Sequence, residues 1–204
     1  MSHQVQRGRP FDANGNLTRK KIIDSARECF AKQGYGNATN KMIAESAGVT
    51  ASAIYNYFPA KKDIFLAVFR EGEMYMTEKY EHAIQAISSP LAAICKLLDC
   101  NLEIYRERPD LPPFFGHIQS EISRYPELVE AMANRESKIS PIFSRLVLQA
   151  QEEGEFNHRL PAENIESMIL SAILGLSLFG LHTDAESHYR NIEAFKLLLQ
   201  GDLN

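Results

Sequence analysis

The segment from Thr39 to Phe58, TNKMIAESAGVTASAIYNYF, most restricts the folds open to this chain. Thr39 can cap a helix, because its hydroxyl can accept a hydrogen bond from an unpaired amide of the first turn. Gly48 can end that helix, since glycine adopts the left-handed conformation at little cost. Thr50 can then cap a second helix after a three-residue turn. The pattern predicts a helix-turn-helix.

The second predicted helix has a buried side and an outward side. Its larger apolar residues, Ile54, Tyr55 and Phe58, are predicted to anchor it in a core. The residues predicted to project are small or polar: Ala51, Ser52, Ala53, Asn56 and Tyr57. Small side chains let a helix enter the major groove, where an asparagine can form a bidentate pair with adenine. Thr50 at the start of this helix and Lys41 on the preceding one complete the predicted DNA contacts of this segment.

A longer run of matches extends beyond this pair of helices. The pattern T-x-x-x-IA-x-x-AGVT is followed by IYNYF, by a lysine pair and by Asp63-Ile64. From about Thr18 to Phe69 the sequence therefore resembles the DNA-binding domain of TetR-family transcriptional regulators. It departs from the family pattern at position 52, where serine replaces a common glycine, and at position 54, where isoleucine replaces leucine. An ordinary helical hairpin inside an all-α domain is the alternative.

The resemblance implies a fold, a set of contacts and a mode of action. The fold is all-α, with an N-terminal three-helix DNA-binding domain followed by a helical ligand-binding and dimerisation domain, about nine helices in all. Thr39, Tyr57 and Lys61 match phosphate contacts of the family. Such a protein binds a palindromic operator as a homodimer, and a small molecule in the C-terminal domain shifts it away from the spacing that fits DNA. We therefore expect a transcriptional repressor.

Charge is distributed unevenly along the 204 residues. Residues 1–62 contain ten Lys or Arg and four Asp or Glu, whereas the remainder contains twelve and twenty-two, so net charges of +6 and −10 combine to −4. A basic N-terminal part followed by an acidic remainder is typical of a protein that binds the phosphates of nucleic acid through the first part and keeps the second part away from them. The expected organisation is a flexible basic arm over residues 1–16, a DNA-binding domain over 17–62 and a helical domain over 63–204.

The amino-terminal arm contains the sequence Arg7-Gly8-Arg9-Pro10. Arginines on an extended backbone can enter a narrow A·T-rich minor groove, where the negative potential is deepest. Arg7 and Arg9 are therefore candidate minor-groove contacts, and a solvated basic tail is the alternative. If this arm dominates binding, the chain is a ligand-independent or architectural DNA-binding protein instead of a regulated repressor.

The last two predicted helices, over residues 162–182 and 187–200, favour self-association. The first is apolar on nearly every side, and a helix of this kind needs cover on both flanks. We expect the two helices to pair with their copies in a four-helix bundle, with burial inside the monomer as the alternative. The residues predicted at this dimer interface are Ile165, Met168, Ile169, Ala172, Leu176, Phe179, Phe195 and Leu199.

An aromatic, proline-rich stretch over residues 110–117 separates two helical patterns, and regular structure is not expected to continue through it. With its flanking helices it supplies the candidate contacts to a small-molecule effector, which could equally be core residues. These candidates are Leu98, Leu102, Tyr105, Phe114, Phe115, His117, Phe143 and Phe179. Pro141 interrupts a later helical pattern over residues 126–153 and marks either a kink or a boundary.

Other classes of function find no support in the sequence. No GxSxG, GxxxxGK[ST] or HExxH motif is present, and His182, Asp184, Glu186 and His188 lack metal-ligand spacing, so no catalytic, cofactor or metal site is expected. Three cysteines without a CxxC pair fit a reducing cytoplasm. The N-terminus lacks a signal peptide, and the apolar run over residues 168–181 falls short of the roughly 18 residues that span a bilayer. We expect a cytoplasmic protein at the bacterial nucleoid.

Overall fold

The computed structural model describes residues 11–133, 135–180 and 182–201, and every regular element in those ranges is an α-helix. The helices are α1 Phe11–Asn37, α2 Asn40–Ala47, α3 Ala51–Tyr55, α4 Lys61–Ile84, α5 Pro90–Glu107, α6 Leu111–Arg124, α7 Pro126–Ala133, α8 Ser140–Glu152, α9 Ala162–Gly180 and α10 Ala185–Gln200. The predicted all-α fold with an N-terminal helix-turn-helix is confirmed. The described residues form ten helices where the patterns predict about nine, because the long pattern over residues 126–153 is two helices.

The first helix begins earlier than predicted and contains a break near its end. Gly34 has a φ of 73° and a ψ of 167°, values outside the helical region, so the predicted stop is present as a kink within α1. The helix already runs from Phe11, so residues 11–16 are helical where a flexible arm is predicted. Extending a formed helix adds one hydrogen bond for each residue fixed, which outweighs a polar composition. Arg7 and Arg9 lie outside the described residues.

The packing of the chain divides it into two compact units, and the first ends at Val68, inside α4. Each of its four helices contributes a fully buried isoleucine to the core: Ile22, Ile43, Ile54 and Ile64. The rings of Phe30, Tyr35 and Phe65 also pack together, with centroid separations of 5.9, 5.3 and 5.2 Å. This shared core fixes the orientation of α2 and α3.

The second unit begins at Phe69 and has its own core, built from buried residues of α4, α5, α6, α8 and α9. The rings of Tyr80 and Phe143 meet edge to face at 6.0 Å, and the Tyr80 hydroxyl donates a hydrogen bond of 2.8 Å to Asn101 Oδ1. Burial raises the pKa of the Cys100 thiol to about 11. This cysteine therefore packs as a small apolar residue and not as a reactive thiolate.

Prolines lie in the first turn of four helices of the second unit, α5, α6, α7 and α8. Pro112 and Pro113 lie in the first turn of α6, which continues through the aromatic stretch to Arg124. Helical structure is therefore interrupted only between Glu107 and Leu111, and the prediction that regular structure does not persist unchanged through residues 110–117 is wrong for the rest of the stretch. Pro141 lies in the first turn of α8. Proline is tolerated at these places because the first amides of a helix have no intrahelical partner. Pro141 therefore marks a helix boundary and not a kink.

Candidate functional site

Two apolar residues anchor α3 and leave the rest of its surface open. Ile54 and Phe58 are buried, whereas Tyr55 is 59% exposed. The prediction that Tyr55 is an anchor is therefore wrong, because one step along a helix of 3.6 residues per turn rotates the side chain away from the core. Of the outward-facing candidates, Ala51, Ser52 and Asn56 are exposed, and Ala53 and Tyr57 are half-buried.

Both helices of the motif begin with a threonine whose hydroxyl accepts a backbone hydrogen bond. Thr39 Oγ1 accepts from the Met42 amide and Thr50 Oγ1 from the Ala53 amide, each at 3.2 Å. Gly48 ends α2 with a φ of 66°, so the predicted caps and stop are confirmed. A hydroxyl that accepts from the backbone keeps its own proton. Thr39, which is exposed, can therefore still donate to a phosphate oxygen.

Lys61 points into the protein. Its Nζ atom donates to the carbonyl oxygens of Tyr35 at 2.6 Å, Gly36 at 3.3 Å and Ala38 at 3.0 Å, and it lies 4.3 Å from the centroid of the Tyr35 ring. An ammonium group has three protons, so these carbonyls account for all of its donors. The phosphate contact that the resemblance implies for Lys61 does not fit this geometry. The side chain instead connects the start of α4 to the last residues of α1 and to Ala38.

Lys41 is the exposed cation on α2. Its Nζ atom lies 3.9 Å from a carboxylate oxygen of Glu45, one turn away, and both side chains are largely open to solvent. Surface pairs of this kind contribute little free energy and are screened by salt. The ammonium of Lys41 is therefore free to exchange Glu45 for a phosphate.

An inner cavity of about 40 Å³ lies within the second unit, between α4, α5, α6, α9 and α10. Its walls are mostly apolar, and four polar residues interrupt them: Asn101, Tyr105, Ser177 and His188. Of the predicted ligand contacts, Leu98, Tyr105 and Phe115 line this inner cavity. Sequence reasoning nominated Phe179 of α9, which does not line the cavity, and missed the residues of α9 and α10 that do, because no spacing pattern connects them with α5 and α6.

The other predicted ligand contacts lie away from the inner cavity. Phe114 and Phe143 are buried in the core, and Phe179 is 69% exposed. Leu102 is half-buried and is not part of the cavity wall. The side chain of His117 lies outside the described residues.

His188 is buried in the wall of the inner cavity, with 6% of its surface exposed. Its ring centroid lies 5.5 Å from that of Tyr105, and its ring lies so close to Gly180 that a Cβ there would come within 2.6 Å. Burial lowers the pKa of His188, because desolvation disfavours the imidazolium form. Its Nδ1 atom has no hydrogen-bond partner among the described residues.

The outer surfaces of α9 and α10 carry large apolar side chains. Met168 is 70% exposed, and Phe179, Leu197 and Leu198 are also exposed. Ile169, predicted at a dimer interface, is 1% exposed and packs into the core of its own chain, so it cannot form that contact. The remaining predicted interface residues are half-buried: Ile165, Ala172, Leu176, Phe195 and Leu199. An apolar helix divides its side chains between core and outer surface, and the sequence does not show which residue takes which side.

By length and composition alone, α9 could cross a membrane. The helix has 19 residues, and 6% of its most apolar 18-residue stretch is buried within the chain. The prediction that this run is too short is wrong, because the helix already begins at Ala162. Core helices of soluble proteins pass the same test, so length and composition do not decide between lipid and a protein partner as its cover.

The similarities to known proteins cover either the first unit alone or most of the chain. The family model described as "Bacterial regulatory proteins, tetR family" matches residues 22–68. The HTH-type transcriptional regulator UidR of Escherichia coli (strain K12) is 21% identical over 170 residues, which are 83% of this chain and 82% of UidR. The first unit is therefore a DNA-binding domain of the TetR-family type. The protein is a DNA-binding transcriptional regulator.

Two further similarities cover different parts of this chain. The HTH-type transcriptional repressor AcnR of Corynebacterium diphtheriae is 38% identical over 63 residues, 31% of this chain and 33% of AcnR. The transcriptional regulator FadR from Bacillus subtilis, solved in complex with stearoyl-CoA, has a TM-score of 0.73 and 20% identity, and the match covers 91% of this chain and 99% of that one. At this identity the likeness to FadR concerns the fold. TetR-family DNA-binding regulators are soluble cytoplasmic proteins.

Proposed function

We propose that this transcriptional regulator is a repressor that binds a palindromic operator as a homodimer and is released by a small molecule bound in its second unit. The exposed surface of α3 carries the proposal. Ser52, Tyr55 and Asn56 face solvent while Ile54 and Phe58 hold the helix in place. In helix-turn-helix proteins the second helix enters the major groove in this way, with its first residues at the base edges.

The proposed contacts divide between bases and phosphates. Thr50, Ala51, Ser52, Ala53 and Asn56 are assigned to bases, with Tyr55 added from its exposure. Thr39, Lys41 and Tyr57 are assigned to phosphates, which fix the register of the protein without reading sequence. The net charge of +6 over residues 1–62 supports this assignment, because an excess of cations attracts any duplex.

Dimerisation is required for useful specificity. A single α3 contacts too few base pairs, whereas a two-fold dimer presents two copies about 34–36 Å apart, one turn of DNA. The exposed apolar surface of α9 and α10, which includes Met168, Phe179 and Leu198, suits contact with the same surface of a second copy. A partner there would cover side chains that the single chain leaves in water.

The inner cavity supports release by a small molecule. A ligand that fits one arrangement of the helices better than another shifts the population toward that arrangement. The similarity in fold to FadR, whose structure contains stearoyl-CoA, favours an apolar effector. The relative AcnR is named a repressor, which favours repression as the outcome of operator binding.

A footprint of the purified protein on the DNA upstream of its own gene tests the proposal. We expect two equal protected half-sites related by a palindrome, with an affinity whose logarithm falls linearly with the logarithm of salt concentration. Asn56→Ala and Ser52→Ala should change the preference among half-site sequences, whereas Lys41→Ala should weaken binding to all sequences alike. Protection of A·T-rich DNA without symmetry would instead favour an architectural protein that binds through Arg7 and Arg9.

A further inference from the structure

The second unit contains a larger outer cavity that shares a wall with the inner one. This outer cavity has a volume of about 250 Å³ and is lined by residues of α4, α6, α7, the segment over residues 135–139, α8 and α9. Phe115 lines both cavities. Helix α9 also passes both, with Leu170 and Leu174 at the outer cavity and Ile173 and Ser177 at the inner one. The two cavities therefore adjoin at Phe115, along one side of α9.

Each cavity wall contains a residue with a buried polar atom that has no hydrogen-bond partner among the described residues. In the inner cavity the atom is His188 Nδ1, and in the outer cavity it is Arg135 Nε. Arg135 Nη1 is already engaged, since it donates to Glu73 Oε2 at 2.5 Å and to the Glu136 carbonyl at 3.2 Å. Buried polar atoms without partners are rare in native proteins. One such atom in each of two adjoining cavities indicates where the polar ends of a ligand would bind.

The charge of Arg135 is already balanced by a buried carboxylate. Glu73 is 3% exposed, and besides Arg135 it accepts hydrogen bonds from the Ser137 hydroxyl at 3.3 Å and from the Lys138 amide at 2.9 Å. A multiply charged group such as a phosphate would therefore be poorly compensated in this wall. A carbonyl or carboxylate oxygen that accepts one hydrogen bond from Nε–H fits it better.

We propose that one elongated, largely apolar molecule occupies both cavities, with a carbonyl-type acceptor at Arg135 and a hydrogen-bonding group at His188. This molecule is the effector of the proposed function, so the inference rests on that function and adds the chemistry of its ligand. Neither cavity alone reaches the roughly 300 Å³ at which small-molecule sites begin. The distance along α9 from Leu170 to Ser177 is about 10 Å at 1.5 Å per residue, which sets the scale of the ligand body.

Phe115 must move aside for the two cavities to join. It is half-buried, and its ring meets the rings of Phe69 at 5.2 Å and Phe114 at 5.3 Å. On α4 it lies against Gly72, where a Cβ would come within 2.7 Å of the ring. A change of rotamer moves such a ring without moving its backbone. The ligand would therefore replace an aromatic ring that packs α6 against α4.

The two polar ends of the ligand can be tested by calorimetric titration of the full chain without DNA. The titrants are 10-hydroxydecanoic acid and decanoic acid. Both acids offer a carboxylate to Arg135, and the first alone offers a distal hydroxyl. We expect the hydroxylated acid to bind about tenfold more tightly, and we expect His188→Leu to abolish this preference. The double variant Glu73→Met/Arg135→Met replaces both members of the buried pair, which leaves no unpaired charge. This double variant should bind both acids about tenfold more weakly and should keep the preference for the hydroxylated acid.

Variants of Phe115 test whether its ring separates the two cavities. Phe115→Ala joins the cavities and should tighten binding of both acids several-fold, whereas Phe115→Trp fills the passage and should weaken both about tenfold. Leu148→Ala is the matched control, because Leu148 is exposed on α8 and lines neither cavity. It should bind both acids like wild type, and thermal unfolding of each variant verifies that it is folded.

Several results would overturn the proposal that one molecule occupies both cavities. They are equal affinity for the two acids, a hydroxyl preference that survives His188→Leu, a Phe115→Trp variant that binds like wild type, and no binding of either acid. None of these results affects the operator footprint, which is measured without ligand. A palindromic footprint from a chain that fails these titrations would therefore leave the proposed DNA-binding function intact and remove only the assigned ligand.

Discussion

Lys61 is expected to act on stability and not on DNA affinity. Lys61→Ala removes the cation that bonds to the carbonyls of Tyr35, Gly36 and Ala38, and should lower the free energy of unfolding by about 2 kcal/mol, the range for hydrogen bonds to charged groups. Urea unfolding measures this change. Lys41→Ala is the control, because the side chain of Lys41 is exposed. Its free energy of unfolding should stay constant, while the slope of log DNA affinity against log salt concentration should become shallower by about one unit. If Lys61→Ala left stability unchanged and instead reduced the salt dependence of DNA binding, Lys61 would belong to the phosphate contacts.

His188 should make stability depend on pH. Burial holds the pKa of His188 in the folded chain below its ordinary value of 6.5, so the unfolded chain takes up this proton at a higher pH. The stabilisation that depends on neutral His188 is therefore complete above pH 6.5 and declines as the pH falls below that value. The free energy of unfolding of the wild type should be lower at about pH 5.5 than at about pH 7.5, and this decrease should be smaller for His188→Leu. An equal loss in both proteins would assign the effect to other groups.

Residues governed by local rules could be predicted from the sequence, and residues governed by distant partners could not. Thr39, Gly48 and Thr50 act through backbone atoms within a few positions, and the structure places each of them as a cap or a stop. Lys61 finds its partners 23 to 26 positions earlier in the chain, and no spacing pattern reports that distance. The phosphate contact of Lys61 is implied by the family resemblance, and a match of positions does not report these intrachain partners.

At the scale of an element, Gly48 should control how well α2 and α3 are oriented. Its φ of 66° is costly for any residue with a Cβ, so Gly48→Ala should lower the free energy of unfolding by roughly 1–2 kcal/mol. Gly15→Ala in α1 is the control: nothing lies within 4 Å of its Cβ position, and alanine favours a helix by up to about 1 kcal/mol. Thermal unfolding compares the two. A Gly48→Ala protein as stable as wild type would show that the turn adopts another conformation.

Helix positions were predicted well from periodicity, and the errors concern where helices start and stop. Regular structure is not expected to persist unchanged through the stretch that contains Pro112 and Pro113, yet both prolines lie in the first turn of α6, because a proline there removes no intrahelical hydrogen bond. Pro141 begins α8 for the same reason. A single proline is compatible with both a break and a start, and the packing of the flanking residues decides between them.

At the scale of the whole molecule, the candidate effector site could be predicted only in part. Leu98, Tyr105 and Phe115 follow from an aromatic stretch and its neighbouring helices, and they do line the inner cavity. His188 and Arg135 are far from that stretch in sequence and reach the two cavities only through the packing of α9, α10 and the segment after α7. The polar ends of the proposed site therefore depend on tertiary packing and could not be predicted, whereas its apolar middle could be predicted from periodicity.

The last prediction concerns assembly, because the proposed palindromic operator needs two copies of the chain. Met168 and Phe179 are 70% and 69% exposed in the single chain, so aspartate at both positions should cost little in an isolated monomer. In a dimer that covers this surface, the same carboxylates would be buried without partners, which is strongly unfavourable. We therefore expect Met168→Asp/Phe179→Asp to sediment as a monomer and to lose operator affinity by about a hundredfold. Leu148→Asp, an equally radical change on exposed α8, should remain dimeric, and a double variant that stays dimeric would place the contact between copies on another surface.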